Sequence, residues 1–212
     1  MNEPIFTDTL PDHTARLVIL LQKRQPAFLS SFYLSGGTGL SLQLDHRESE
    51  DLDFFSQSSF NPNDLEKELI SFGKLSQTEL SKGTLNTFLK TVKLQFLEYP
   101  YPLLEPLIKW NGVQISSVLD IACTKLQTIS IRGNKKDFVD LYFLLKRYSL
   151  TDLLQASQKK YAQVDYNQTH ILKSLVYFDN AEEQPMPRMH SQVRWTKIKE
   201  KIISAVKSVP LT

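Results

Sequence analysis

Residues 32–56 read FYLSGGTGLSLQLDHRESEDLDFFS, and the order of parts in this stretch decides the fold. The apolar triplet Phe32, Tyr33 and Leu34 predicts a short buried strand. Gly36, Gly37 and Thr38 follow as a turn, a helix is expected from Thr38 to Leu44, and a second strand at 51–55 carries Asp51-Leu52-Asp53 into Phe54-Phe55. Side chains alternate along a strand, so Asp51 and Asp53 share one face, open to solvent or a site, while Leu52 points into the core. Glycines permit positive φ and let backbone N–H groups approach a ligand closely. A helix starting at them aims its positive end at an anion.

The two carboxylates need a partner. At about 5 Å they repel by roughly 3 kcal/mol at an effective dielectric near 20. A hard divalent cation removes that cost, and Mg²⁺ commonly sits between one or two carboxylates and substrate phosphates. The arrangement therefore predicts phosphoryl chemistry, with phosphates at the glycine turn and Mg²⁺ or Mn²⁺ at Asp51 and Asp53. Taken singly, each part has a plainer use: Gly36-Gly37 as a tight turn, Asp51 as the cap of a strand. The two in this order, joined by one helix, favour the site.

Two motifs carry a family resemblance. GGTGLSLQLDHRESEDLDFFS, residues 36–56, resembles the first motif of the nucleotidyltransferase AbiEii/AbiGii toxin family, a branch of the DNA polymerase β-like nucleotidyltransferases. LDIACTKLQTISIRGNKKDFVDLYFLLKR, residues 119–147, is similar to later motifs of that family. It sets Asp120 and Lys125 on one helix, then Lys136-Asp137 and Asp140-Leu141 on the next. VKLQFLEYPYPLL, residues 92–104, is similar to a branch of the same family. The resemblance implies an α+β fold, with a nucleotidyltransferase-like mixed β-sheet core and helices. It implies Mg-dependent transfer of a nucleoside monophosphate from an NTP, with Asp51, Asp53, Lys125, Asp137 and Asp140 as catalytic residues. Gly36, Gly37, Thr38, Arg47 and Ser49 are then the nucleotide-binding set. A toxin of a toxin–antitoxin or phage-defence pair is also implied, with a cognate antitoxin protein as partner and a tRNA end or protein side chain as acceptor.

Composition narrows the class. A chain of 212 residues fits one domain or two small ones and is long enough to bury a real core. A net charge of +2 is near neutral, so any nucleic-acid surface must come from local clusters. The lone Cys123 excludes an intrachain disulfide, suits a reducing cytoplasm, and reads as a buried, inert thiol. Scattered histidines and one cysteine supply no zinc cage. The opening MNEPIFTDTLPDH is acidic and contains two prolines, unlike a signal peptide. The apolar run LVILL at 17–21 is far short of the ~20 residues that span a bilayer. A soluble, cytoplasmic protein with no membrane contact is expected.

Further along the chain, Asp12 or Thr14 is expected to cap a first helix ending near Lys23, with Leu17, Leu20 and Leu21 as its stripe. Asn61-Pro62 marks a helix start reaching Phe72 or Gly73. Leu75-Gln77-Glu79, Leu85-Thr87-Leu89 and Val92-Leu94-Phe96 read as strands. Asn111-Gly112 predicts a hairpin turn, since type I′ needs positive φ. From Ser117, which caps a helix to about Ile131, the pattern is helical. Helices are expected at 136–148, after a Thr151 cap, and near 167–178 and 191–208, with a break at Gln184-Pro185-Met186-Pro187. The expected layout is a nucleotidyltransferase-like α/β core over 1–116 and a helical region over 117–212 packed on it.

Asp137 and Asp140 share one face of a helix that is apolar almost all round, hence buried. Buried carboxylates need partners or a metal. Lys125, Arg132, Lys135, Lys136 and Arg47 are the candidate cations. The alternative to a catalytic role is an ion pair that docks the helical half on the core. The resemblance favours Asp137 over Asp140 for a direct role, and the sequence alone does not separate those two. One departure from the family pattern stands out. Polymerase β-like enzymes place a third carboxylate on a strand beside the DxD strand, but here the alternation of residues 92–97 presents Lys93, Gln95 and Leu97. Gln95 is a poor substitute for an anionic ligand, and Glu98 falls on the other face unless a bulge shifts the register. The leading reading is an active nucleotidyltransferase. A second is a catalytically silent nucleotidyltransferase-like module that binds nucleotide or a partner protein, and a third is a kinase-like phosphotransferase. A basic cluster of Arg188, Arg194, Lys197, Lys199, Lys201 and Lys207 with Trp195 offers either an RNA contact or a solvated helix face.

Overall fold

The strands on either side of the glycine turn form the centre of one mixed sheet. The computed structural model describes residues 4–164 and 167–210. Residues 1–3, 165–166 and 211–212, including the outer ends of the two expected regions, lie outside the described residues. The strands are β1 (Tyr33–Leu34), β2 (Leu52–Ser56), β3 (Leu75–Ser81), β4 (Thr84–Leu89), β5 (Val92–Glu98), β6 (Ile108–Trp110) and β7 (Val113–Ile115). Their order across the sheet is β3-β4-β5-β2-β1-β7-β6. β5 runs parallel to β2 in register, so Gln95 lies opposite Asp53 and Leu97 opposite Phe55. β7 runs parallel to β1, and the remaining pairs are antiparallel. Asn111 and Gly112 turn the β6–β7 hairpin with φ of 47° and 86°, as a type I′ turn demands.

Alternation sorts the two faces of the sheet. Leu52, Phe54, Leu85, Leu89, Leu94 and Phe96 are buried on one face. They form one cluster with Leu17, Val18 and Leu21 of α1 (Asp12–Arg24) and Leu65 and Leu69 of α3 (Pro62–Ile70). Each such side chain contributes about 1.5–3 kcal/mol on burial. Asp53, Phe55, Gln95 and Leu97 project from the opposite face, toward α4 (Val118–Ile131). A second cluster joins Leu40 of α2 (Gly36–Leu44) to α4, α5 (Lys135–Leu144), α6 (Leu150–Lys160), α7 (Gln168–Leu175), α8 (Asp179–Glu182) and α9 (Trp195–Lys207). The site lies where α2 meets both clusters.

Several helix ends depart from expectation. α1 follows Pro11 with no side-chain cap, and Thr14 instead donates its hydroxyl to the Glu50 carbonyl, 2.9 Å away. Ser149 caps α6 in place of Thr151, since its Oγ accepts from Asp152 N (3.1 Å) and donates to the Asp152 carboxylate (2.6 Å). α2 begins at Gly36 rather than Thr38, because the glycines are themselves its first turn. α3 stops at Ile70 and α5 at Leu144, the 167–178 helix divides into α7 and α8, and α9 begins only at Trp195. Cys123 is fully buried, which pushes its thiol up to about 11. Among the described residues no helix is long and apolar enough to cross a membrane.

Candidate active site

Gly36 adopts φ of +62°, and a Cβ on it would fall 2.0 Å from Asp53 Oδ2. Glycine is needed here twice, for the backbone angle and for the space. At Gly37 a Cβ would fall 2.7 Å from an Arg47 guanidinium nitrogen. The first turn of α2 therefore lies directly against the Asp53 carboxylate and the Arg47 side chain. Ser35 N donates to the Asp53 carbonyl at 2.8 Å, fixing β2 to the start of that turn. Thr38, expected at the phosphates, is instead fully buried and does not line the cavity. Its hydroxyl donates to the Asp51 carbonyl and sits 2.9 Å from Ser49 Oγ, so it holds the segment that carries Asp51.

Asp51 and Asp53 open onto a cavity of about 290 Å³ between the sheet and α4. The sheet supplies Phe55, Gln95, Leu97 and the adjoining Tyr99, while α4 supplies Thr124, Lys125 and Thr128. Of the expected nucleotide-binding set, Gly36, Gly37, Arg47 and Ser49 line the cavity and Thr38 does not, while Lys93, Arg132 and Lys136 add three cations. Burial pushes the Asp53 carboxyl up and the Asp51 charge adds to the effect, against the pull of Lys125, Lys136 and Arg132. Lys136 Nζ stands 3.6 Å from Asp51.

Asp137 and Asp140 lie behind this wall. Neither lines the cavity, and both side chains are fully buried. Lys125 Nζ reaches Asp137 at 2.9 Å and Asp140 at 2.6 Å. Arg47 grips both oxygens of Asp140, at 2.7 and 2.9 Å, and His46 Nε2 meets Asp140 at 2.8 Å. Arg132 holds Asp137 at 3.0 and 3.3 Å. Burial alone raises both carboxyls. Arg47, Lys125 and His46 more than offset it at Asp140, holding it well below the usual carboxylate range, and Lys125 and Arg132 do so at Asp137. Three cations on two carboxylates leave an excess of positive charge facing Asp51 and Asp53.

Asp51 and Asp53 are the two carboxylates in the lining of this cavity. No group of three or more His, Cys, Asp or Glu side chains placed to hold a metal occurs among the described residues. Gln95 occupies the strand position beside Asp53.

Other sequence candidates have structural duties. Asp120 accepts from Leu104 N and Glu105 N and pairs with buried Lys160 at 2.7 Å, tying α4 to α6 and the preceding loop. Trp195 packs edge-on against Phe138 and Phe178 and donates to Glu182, which also holds Lys199. Arg188 pairs with Glu48 at 2.9 Å. His46 carries no sequence signal, since its role comes from contact with a residue on α5. Arg132 and Lys136 are among the candidate cations of the sequence, and the structure gives Arg132 to Asp137 and Lys136 to Asp51.

The fold is that of the nucleotidyltransferases. JHP933 from Helicobacter pylori aligns at a TM-score of 0.51 and 19% identity, covering 93% of this chain and 92% of that one. MenT4, a nucleotidyltransferase toxin from Mycobacterium tuberculosis H37Rv, aligns at 0.54 and 13% identity, covering 93% and 85%. The chain belongs to the nucleotidyl transferase AbiEii toxin family of type IV toxin–antitoxin systems, whose profile matches residues 19–209. An uncharacterized Aquifex aeolicus (strain VF5) protein, aq_aa25, is 40% identical over 161 residues, 73% of this chain and 77% of its own. Family and fold together make the chain a nucleotidyltransferase.

Proposed function

We propose that the protein transfers a nucleoside monophosphate from an NTP to a hydroxyl of an RNA or protein acceptor, in a Mg²⁺- or Mn²⁺-dependent reaction. The observation that supports this reading most is the contact of Gly36 with Asp53, which brings a helix N-terminus and a carboxylate pair to one cavity. Backbone N–H groups of the first α2 turn face the triphosphate. Asp51 and Asp53 hold the divalent cation, which when bound supplies charge neutralisation at the phosphates. Lys125 and Arg132 place positive charge at the same end of the substrate, each held from behind by Asp137 or by Asp137 and Asp140. Phe55, Leu97, Tyr99 and Thr124 leave an uncharged part of the cavity for ribose and base. The acceptor oxygen forms the new bond to the α-phosphorus, and pyrophosphate leaves. Asp137 and Asp140 act by positioning, since neither touches the cavity. Membership of a type IV toxin–antitoxin family supports a cognate antitoxin as partner.

Gln95 favours a second reading, a nucleotide-binding module without transfer activity. Incubation with α- and γ-labelled NTPs and a lysate of acceptors separates the readings. Incorporation of the α-label with release of pyrophosphate is expected. Incorporation of the γ-label alone would indicate a kinase-like reaction, and nucleotide binding with neither would indicate the silent module.

A further inference from the structure

Lys136 stands between two cavities. One is the nucleotide cavity. The other, about 250 Å³, is walled by Glu48, Glu50 and Arg188, and it shares Arg47, Ser49, Asp51 and Lys136 with the first. Three other cations in the lining are committed to buried carboxylates: Lys125 to Asp137 and Asp140, Arg47 to Asp140, Arg132 to Asp137; Lys93 lines the nucleotide cavity from β5. Lys136 differs. Its ammonium lies 3.6 Å from Asp51 Oδ2, a long contact between side chains that are 44% and 36% exposed. Its backbone is anchored in the first turn of α5 beside Asp137, while its charge sits on a flexible four-carbon stem.

We infer that Lys136 is a built-in counter-cation of the Asp51–Asp53 pair that moves to the triphosphate when a metal–nucleotide complex binds. This rests on the metal–nucleotide reading above. Two neighbouring carboxylates repel, and Lys136 is the exposed cation on Asp51 that offsets part of that repulsion. A divalent cation arriving alone must displace the ammonium and leave it beside a doubly charged ion. A cation arriving with a triphosphate brings anionic oxygens that give the ammonium a new partner. Lys136 thereby couples metal binding to nucleotide binding with positive cooperativity.

The test uses the full chain as wild type, Lys136→Gln and Lys136→Arg. Mn²⁺ affinity without nucleotide is read from the free-ion paramagnetic resonance signal. Affinities for the Mg²⁺ complexes of ATP, GTP, CTP and UTP are read by equilibrium binding. Lys136→Gln is expected to bind Mn²⁺ alone roughly fivefold more tightly and the Mg²⁺–nucleotide roughly fivefold more weakly, while Lys136→Arg stays near wild type in both. This opposition of sign is what a lysine that merely props Asp51 would not produce. Loss of both affinities in Lys136→Gln, or an unchanged affinity for Mn²⁺ alone, would overturn the inference while leaving the site reading intact. Failure of wild type to bind any of the four complexes would overturn both.

Discussion

Gln95 lies directly opposite Asp53 on neighbouring parallel strands, and both side chains line the same cavity. A neutral amide thus stands beside a carboxyl that burial and Asp51 already push up. Gln95→Glu should tighten Mg²⁺ binding in the absence of nucleotide and destabilise the metal-free protein by about 1 kcal/mol, through added like-charge repulsion. Calorimetry with MgCl₂ and a thermal melt check both signs. Unchanged metal affinity would separate Gln95 from the metal site.

Asp53→Asn should leave the metal-free protein as stable as wild type or slightly more so. A carboxyl raised above its unfolded value binds protons more readily when folded. Its ionisation therefore costs stability as pH rises from the unfolded value near 3.9 through the raised folded one. At neutral pH the amide removes that cost, so the melting temperature should hold or rise slightly. Metal-dependent nucleotide binding should be lost at the same time. A marked fall in the melting temperature would mean that Asp53 is structural.

Asp140 carries the opposite sign. Its carboxyl is held well below the usual range, so its contribution is fully present above the unfolded value near 3.9 and is lost as pH falls through the folded one. Asp140→Ala strands the buried Arg47 and leaves Lys125 with Asp137 alone, and should cost about 3–5 kcal/mol. Asp137→Ala should cost less, because Arg132 is half-exposed and can return to water. Urea unfolding ranks the two, and an Asp140→Ala protein as stable as wild type would contradict the buried network.

His46 should make stability sensitive to mild acid. Burial lowers its affinity for a proton, against the pull of Asp140, and its Nδ1 is buried with no partner. The neutral ring with its proton on Nε2, donating to Asp140, satisfies this geometry. The unfolded chain binds a proton near 6.5 and the folded chain only at lower pH, so stability falls as pH drops below about 6.5. His46→Gln should flatten the melting-temperature profile between about pH 7 and about pH 5. An unchanged profile would assign the acid sensitivity elsewhere.

Much of the fold is legible where a local signal has a local cause. Asn61-Pro62 starts α3, Asn111-Gly112 turns a hairpin and Ser117 caps α4, each within a few residues of the signal. The alternation of residues 52–56 and 92–97 likewise separates the core face from the cavity face. What the sequence hides is the division of labour within the site. Asp137, Asp140, Lys125 and Arg47 are charged residues in apolar surroundings, and only their mutual distances distinguish a cavity wall from its support. Thr38 reads as a phosphate contact because it follows two glycines, yet one further helical step turns it inward to the Asp51 carbonyl.

Under the proposed function, Asp51 and Asp53 form a two-carboxylate metal site that the substrate's own phosphates complete. Mg²⁺ prefers six oxygen ligands in near-octahedral geometry and keeps water readily, so two carboxylates alone should hold it poorly. Isothermal titration calorimetry of the wild-type chain tests this directly. The account predicts little heat with MgCl₂ alone and clear binding of one Mg²⁺–NTP complex, lost in Asp51→Asn and Asp53→Asn. Tight binding of two Mg²⁺ ions without nucleotide would contradict it.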